Sequence, residues 1–402
     1  MIFQALITMF VAFVCMGLNY VFHFFMARLL SPVIYGELAV IIGILSVLLV
    51  PTSSIQTLLT REIAKLDKKH NEKVIICLIK EYSKIVFLGG IFVGIILFFS
   101  SYLIARVFNN SQLISPIQIV ALEIPFAFLL PVLRAYYQGK ERILRLSVIL
   151  VSEPFLKVIF ALSLVLLGFG LVGVTFSLLV GPLLLSFLII PIVLNKSKSL
   201  AHSLNLSKSF FLILFTSVLI MLFLYLDLFF VRYYLGSEQA GYYNIASITS
   251  KVLFYAASGI NLVFLPKSSK LNIHKDKKRI KSLLFKSFLL MLPIFILFIS
   301  FPGQIISIFY TEKYLGASTP FVILSIGIFA LGIYSVFLNF LWSQRMEKIS
   351  LVLSAALVFT DILLLIYLTP TYGLVGASIA TTFSAILFLL ISLFVIGSYL
   401  RK

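Results

Sequence analysis

Hydrophobic and polar positions in this chain come in long blocks rather than alternating residue by residue. Twelve apolar runs stand out, near residues 3–28, 34–58, 84–106, 115–138, 146–167, 171–194, 209–231, 240–265, 282–309, 319–342, 349–368 and 374–399. A helix needs about 20 apolar residues to cross roughly 30 Å of hydrocarbon, and each run has that length. The runs are continuous and rich in Leu, Ile and Phe, without the two-residue period of a membrane β-barrel, so they predict spanning helices. The first run begins at Met1 with no charged lead and no cleavage site, and reads as a spanning helix rather than a signal peptide. Pro51, Pro125, Pro131, Pro182 and Pro293 fall inside runs, where a missing N–H favours kinks. The expectation is an all-α, polytopic membrane protein with 12 transmembrane helices.

Composition sharpens this picture. Of 402 residues, 61% are hydrophobic and 11% charged, where a soluble domain carries about 25% charged residues. The net charge of +18 raises the question of nucleic-acid binding. Its distribution argues against it. Basic residues crowd the segments after runs 2, 4, 6, 8 and 10 and the C-terminal end, with Lys65, Lys68, Lys69, Lys73, Lys275, Lys277, Lys278 and Arg279 the densest stretches. Of the 32 Lys and Arg, only Arg28, Arg106, Arg232 and Lys313 fall in the alternate loops. This is the positive-inside asymmetry and predicts both termini in the cytoplasm. Membrane lipids are the expected partners of that basicity, and no nucleic acid is. Cys15 and Cys77 lie in or beside spans and make no disulfide framework, and the four histidines show no metal-ligand spacing.

The halves of the chain repeat each other. RLLSPVIYGELAV (28–40) follows run 1 and RYYLGSEQAGYYNIA (232–246) follows run 7, with Gly36 falling on Gly241. At that offset Gln56 meets Asn261. YYQGKERI (136–143) matches LWSQRMEKI (341–349), aligning Gln138 with Gln344, and GLVG recurs at 170–173 and 373–376. Several stations hold one offset to within a few residues, which indicates a duplication. The word GLVG reads as one tight turn used twice, where glycine permits a positive φ and close backbone approach. Each half has six runs, so both begin and end on the same side, as in transporters of parallel repeats. The predicted organisation is a six-helix bundle over 1–195, a cytoplasmic linker at 196–208 and a second bundle over 209–402. Two such bundles facing each other would leave a central cavity, and rocking would give alternating access.

Ionisable groups inside spans are costly and usually face a cavity or a partner. The candidates are Glu123 and Arg134 in run 4, Glu153 and Lys157 in run 5, Asp227 in run 7, Lys251 in run 8 and Asp361 in run 11. Glu153 and Lys157 are spaced i,i+4 and are expected to neutralise each other. Taking Leu235 and Ala240 as the outer ends of their runs, Asp227 and Lys251 lie about 12 and 16 Å deep, so they could meet across a hairpin, as structural glue or as a switch. Asp361 has no local mate, which makes it a candidate proton or sodium site, or simply a neutral carboxyl. Asn19, His23, Ser53, Gln56, Thr57, Thr60, Thr249, Ser250, Ser258 and Asn261 are softer polar positions, more ordinary as packing residues.

RLLSPVIYG, LGSEQAGYYNIAS and YGLVGASIATTFS resemble the polysaccharide-exporter (Wzx-type) family of lipid-linked oligosaccharide flippases. That family belongs to the multidrug/oligosaccharidyl-lipid/polysaccharide superfamily, whose fold is MATE-like. The resemblance covers nearly the whole chain. It implies that a polyprenyl-pyrophosphate-linked repeat unit is moved from the inner to the outer leaflet of the cell membrane, with sodium or proton coupling. It also implies no other cofactor, and enzymes of polysaccharide assembly as neighbours. A buried pyrophosphate needs Lys or Arg, so the implied substrate-binding set is Lys251 first, then Lys157, Arg134 and Arg28, with Gln56 and Asn261. Asp227, Asp361, Glu153 and Glu123 are the implied ion-coupling set. Two departures stand out: carboxylates nearly balance the intramembrane cations, and no basic lead precedes run 1, which leaves a later-than-native start open.

A MATE-type antiporter of cationic drugs would share the fold and is kept alive by Asp227, Asp361 and 40 Phe. A major-facilitator transporter would carry a Gly-Asp-Arg-type loop after run 2, where this chain reads TREIAKLDKKHNEK. A membrane glycosyltransferase would need paired acid/base groups outside, where only Glu37, Glu238 and Glu312 occur singly. No catalysis is expected.

Overall fold

The computed structural model describes residues 2–67, 71–194, 208–268 and 277–401; the side chains at 2–6, 8, 9, 258–268, 277–284, 287 and 396–401 are outside that description. The chain forms two compact units, Met1–Leu206 and Ser207–Lys402. The described residues form helices and short 3-10 turns, with no strand among them. The first unit holds α1 (Ile2–Leu29), α2 (Pro32–Leu48), α3 (Val50–Asp67), α4 (Glu72–Val107), α5 (Ile114–Gly139), α6 (Ile143–Leu166), α7 (Gly170–Ser186) and a single turn, α8 (Ile190–Val193). The second holds α9 (Lys208–Ser268), α10 (Lys277–Ser300), α11 (Pro302–Tyr310), α12 (Ser318–Ser343) and α13 (Glu347–Arg401).

Among the described residues, nine helices are long and apolar enough to cross a membrane, and ten if the bent pair α10–α11 counts as one span. The chain is a multi-pass membrane protein. Its outward side chains include many large apolar groups, such as Phe13, Phe92, Phe99, Phe359 and Phe394, as expected where the solvent is hydrocarbon. Backbone polarity is closed inside each helix, and span hydroxyls bond to their own helix: Ser83 to the Ile79 carbonyl at 2.6 Å, Ser392 to the Phe388 carbonyl at 2.6 Å.

Local sequence explains the boundaries. Ser31 caps α2 by accepting the Ile34 N–H at 3.3 Å, and Pro32 sits where its missing N–H costs nothing. The run at 34–58 is interrupted between α2 and α3 beside Pro51; Thr52 and Ser53 hydroxyls bond the Leu49 and Val50 carbonyls there. The expected single helix at 282–309 is corrected: it ends at Ser300, and α11 leaves at 85°. Pro302 opens α11, so the ladder of α10 cannot continue through it.

α9 and α13 are each hairpins. Gly236 (φ 87°, ψ 179°) interrupts α9, and Gly373 (φ 62°, ψ −139°) interrupts α13. The reversal in α9 is shown by the Tyr243 hydroxyl donating to the Asp227 carboxylate at 2.8 Å across the break. A straight helix would hold those residues about 24 Å apart.

The two GLVG words do the same work. Their first glycines, Gly170 and Gly373, both have positive φ, 51° and 62°. Their second glycines press on the preceding arm. A methyl on Gly173 would lie 2.8 Å from the Leu164 Cβ, and one on Gly376 would lie 1.9 Å from the Leu368 carbonyl oxygen. Gly376→Ala is therefore expected to open the α13 hairpin and cost about 1–3 kcal/mol, read as a lower unfolding temperature in detergent. Unchanged unfolding would show that the hairpin tolerates a wider turn.

Candidate functional site

Polar groups gather on one stripe in each unit. In the first unit the stripe runs along α5. Eleven residues at about 100° each return Arg134 to within about 20° of Glu123, and Gln138 lies one turn beyond Arg134. α5 packs against α3 and α4, and α6 packs against α1 and α7, so this stripe faces partners from several helices.

At one end, Gln138 Oε1 accepts from Gln56 Nε2 at 3.0 Å and from the Thr60 hydroxyl at 3.3 Å. One turn along, Arg134 forms an ion pair with Glu153 of α6. The Arg134 Nε is buried and has no hydrogen-bond partner among the described residues. Cys15 of α1 lies close enough to interact with both charges and donates to the Leu150 carbonyl at 3.2 Å. Farther along, Lys157 donates to Asn19 Oδ1, and its ammonium stands 4.5 Å from the Phe22 ring centroid. Glu123, 4% exposed, lies within electrostatic reach of Glu153 and Lys157, and its Oε2 has no hydrogen-bond partner.

Glu153 and Lys157 act on each other through their charges, but the bond to Glu153 comes from Arg134. Glu153 and Lys157 share a face of α6, but the Arg134 guanidinium reaches Glu153 from α5. A planar fork matches a carboxylate better than an ammonium does, and Lys157 turns to an amide oxygen instead. Arg28 is not part of the cluster. It is exposed at the end of α1, 4.1 Å over the Phe24 ring centroid and about 14 Å along the helix from Asn19. His23, one turn from Asn19, meets the Tyr35 hydroxyl at 3.3 Å.

In the second unit, the α9 hairpin and α13 supply the stripe. Asp227 is 2% exposed and accepts from the Tyr243 hydroxyl at 2.8 Å and from the Leu228 N–H at 2.7 Å. Asp361 is 0% exposed, and among the described residues no donor lies within hydrogen-bonding geometry of its carboxylate oxygens. The hydroxyls of Thr381 and Ser384 face it from the second arm of α13, and Asp227 is near enough for their charges to interact. Lys251 is 3% exposed. Among the described residues its ammonium has no hydrogen-bond partner, and it stands 3.8 Å from the Tyr225 ring centroid.

The expected contact of Asp227 with Lys251 is corrected as well: they interact through their charges, but Asp227 bonds to Tyr243 instead. The reason is the position of the turn. With the break at Gly236, Asp227 lies about 13 Å below it and Lys251 about 22 Å, whereas Tyr243 lies about 10 Å below and carries a long side chain. Asn261 and Ser258 lie among residues whose side chains are outside the described ones.

Tyr243, Tyr225, Thr381, Ser384 and Gln138 were not singled out by sequence as site residues. Tyrosines and hydroxyls in spans are ordinary packing residues, and only the two hairpins bring these ones to the charges. Among the described residues, no group of three or more His, Cys, Asp or Glu could hold a metal.

A family model described as polysaccharide biosynthesis protein matches residues 25–319. An uncharacterized membrane protein of Methanocaldococcus jannaschii is 32% identical over 164 residues, 40% of this chain and 32% of that protein. A putative O-antigen transporter of Shigella flexneri is 24% identical over 165 residues, 40% of each chain. The matched segment thus spans about a third and two fifths of these relatives' lengths. Among solved structures, an inward-facing multidrug resistance MATE family transporter of the MOP superfamily superposes with TM-score 0.72 at 13% identity, covering 96% of this chain and 95% of that one. The lipid II flippase MurJ, in an inward closed conformation, gives 0.71 at 18% identity, covering 99% and 88%. At such identities the likeness concerns the fold. The chain belongs to the polysaccharide biosynthesis protein family, and its fold is that of MOP-superfamily transporters.

Proposed function

We infer that this protein is a flippase for a polyprenyl-diphosphate-linked oligosaccharide, carrying it from the inner to the outer leaflet by alternating access, and that it performs no catalysis. Membership of a polysaccharide biosynthesis family and similarity to a putative O-antigen transporter supply the substrate class. Likeness in fold to a lipid II flippase supports a lipid-linked cargo. In this reading the chain crosses the membrane twelve times, with both termini on the cytoplasmic side, where assembly enzymes deliver the cargo.

The observation that carries the reading is Lys251. A buried ammonium without a hydrogen-bond partner is costly in a span unless something else satisfies it. The Tyr225 ring offsets part of that cost. A diphosphate oxygen would supply the missing acceptor in a charge-assisted bond. An antiporter for cationic drugs, the other use of this fold, is disfavoured because a fixed positive charge would repel its cargo.

Asp361 is the coupling group, with Asp227 beside it. Its two buried carboxylate oxygens have only the Thr381 and Ser384 hydroxyls near them, and a proton or a cation would supply the positive charge that the site lacks. The test is reconstitution: proteoliposomes should expose a fluorescent polyprenyl-diphosphate sugar at the far leaflet faster than empty vesicles, and faster still under a proton or sodium gradient. Rates equal to those of empty vesicles would exclude the reading.

A further inference from the structure

We propose that Glu153 is a resident stand-in for a phosphate group, holding the Arg134 guanidinium until the diphosphate of the cargo displaces it. The proposal rests on the flippase reading and concerns the first unit. Arg134 and Glu153 are paired with side chains 19% and 33% exposed, so the bond lies at the edge of the polar stripe and is not sealed within the helix packing. The pairing leaves the guanidinium incompletely used. Its Nε is buried with no partner, and an unsatisfied donor of that kind is unfavourable. A carboxylate has two oxygens; a diphosphate offers more, arranged to take bidentate bonds from a guanidinium.

The neighbours fit the exchange. Lys157, one turn from Glu153 on α6, donates to a neutral amide and meets Glu153 and Glu123 through charge alone, so its ammonium can turn to a second phosphate once Glu153 is displaced. Gln138, one turn from Arg134 on α5, already gathers Gln56 and Thr60. These uncharged donors and acceptors suit sugar hydroxyls next to the diphosphate. With Glu153 in place, the carboxylates of Glu153 and Glu123 oppose the charges of Arg134 and Lys157. Once Glu153 is displaced the balance favours an anion. Return of Glu153 to Arg134 then helps to expel the product, so one side chain limits affinity and promotes release.

Glu153→Gln separates the two roles. Glutamine still offers Arg134 a carbonyl oxygen, so the helix pair is kept while the competing charge is removed. The full-length protein in nanodiscs of zwitterionic lipid is titrated with polyprenyl diphosphate, with inorganic pyrophosphate and with phosphatidylglycerol. The expected result is roughly tenfold tighter binding of polyprenyl diphosphate, the scale of one charge-assisted hydrogen bond. A weaker gain with pyrophosphate and none with phosphatidylglycerol are expected. In flipping assays KM and kcat should fall together, and Arg134→Gln added to Glu153→Gln should abolish the gain in affinity. Unchanged or weaker binding by Glu153→Gln, or an equal gain with phosphatidylglycerol, would overturn the proposal. A wild-type protein that binds no polyprenyl diphosphate would instead defeat the flippase reading beneath it.

Discussion

Lys251→Ala is expected to bring flipping down to the rate of empty vesicles while the protein still inserts and folds. Among the described residues the ammonium has no hydrogen-bond partner; its removal takes a compensating charge from Asp227, which keeps its bonds from the Tyr243 hydroxyl and the Leu228 N–H. In the flippase reading, what disappears is a donor to the cargo. Hydrogen bonds to charged groups contribute about 1.5–3 kcal/mol, which is roughly 10- to 150-fold in affinity for each hydrogen bond to phosphate that is removed. Lys251→Met keeps the side-chain volume against Tyr225 and should still fold and insert, yet be equally inactive. Wild-type flipping by either variant would remove Lys251 from the site.

Asp361→Asn should uncouple transport from its driving ion. Asparagine keeps the shape of the side chain among Thr381, Ser384 and Asp227, but it neither ionises nor takes up a proton. A potential of 100 mV is worth about 2.3 kcal/mol per elementary charge, roughly a 50-fold bias in distribution. The variant should lose that bias, so that flipping with and without an imposed proton or sodium gradient becomes equal. The gradient that accelerates wild type but not the variant identifies the ion. Full gradient dependence in Asp361→Asn would place the coupling elsewhere, with Glu123 the next group to test because its Oε2 is also buried without a partner.

Much of the fold was legible in the sequence because hydrocarbon imposes a simple rule: long apolar runs must become helices. The GLVG words were legible for a second reason, since a tight reversal and close packing at Gly173 and Gly376 demand glycine at any equivalent point of a repeat. The break before α11 was missed although Pro302 was in view, because apolar content continues across it and an apolar count does not register direction. The seven intramembrane charges were also legible, because ionisable residues are rare in spans.

Their partners were not. Glu153 has a plausible mate on its own helix, and the chain gives no sign that Arg134, nineteen residues earlier, reaches it first. For Asp227 and Lys251 the error was one of turn position. Placing the reversal at Gly236 rather than over 235–240 moves Lys251 about 6 Å deeper and puts Tyr243 in its place beside Asp227. Pairings of this kind depend on helix rotation and register, and neither is encoded in periodicity alone.

The central claim is that fixed cations inside the bundle recognise a diphosphate, and headgroup discrimination tests it most directly. Wild-type proteoliposomes should be offered one oligosaccharide on three polyprenyl lipids, joined through a diphosphate, a monophosphate or an uncharged ether. The account predicts flipping rates that fall in that order, at least about tenfold from diphosphate to ether, with the differences collapsing in Lys251→Met. Equal rates for all three lipids in the wild-type protein would contradict it.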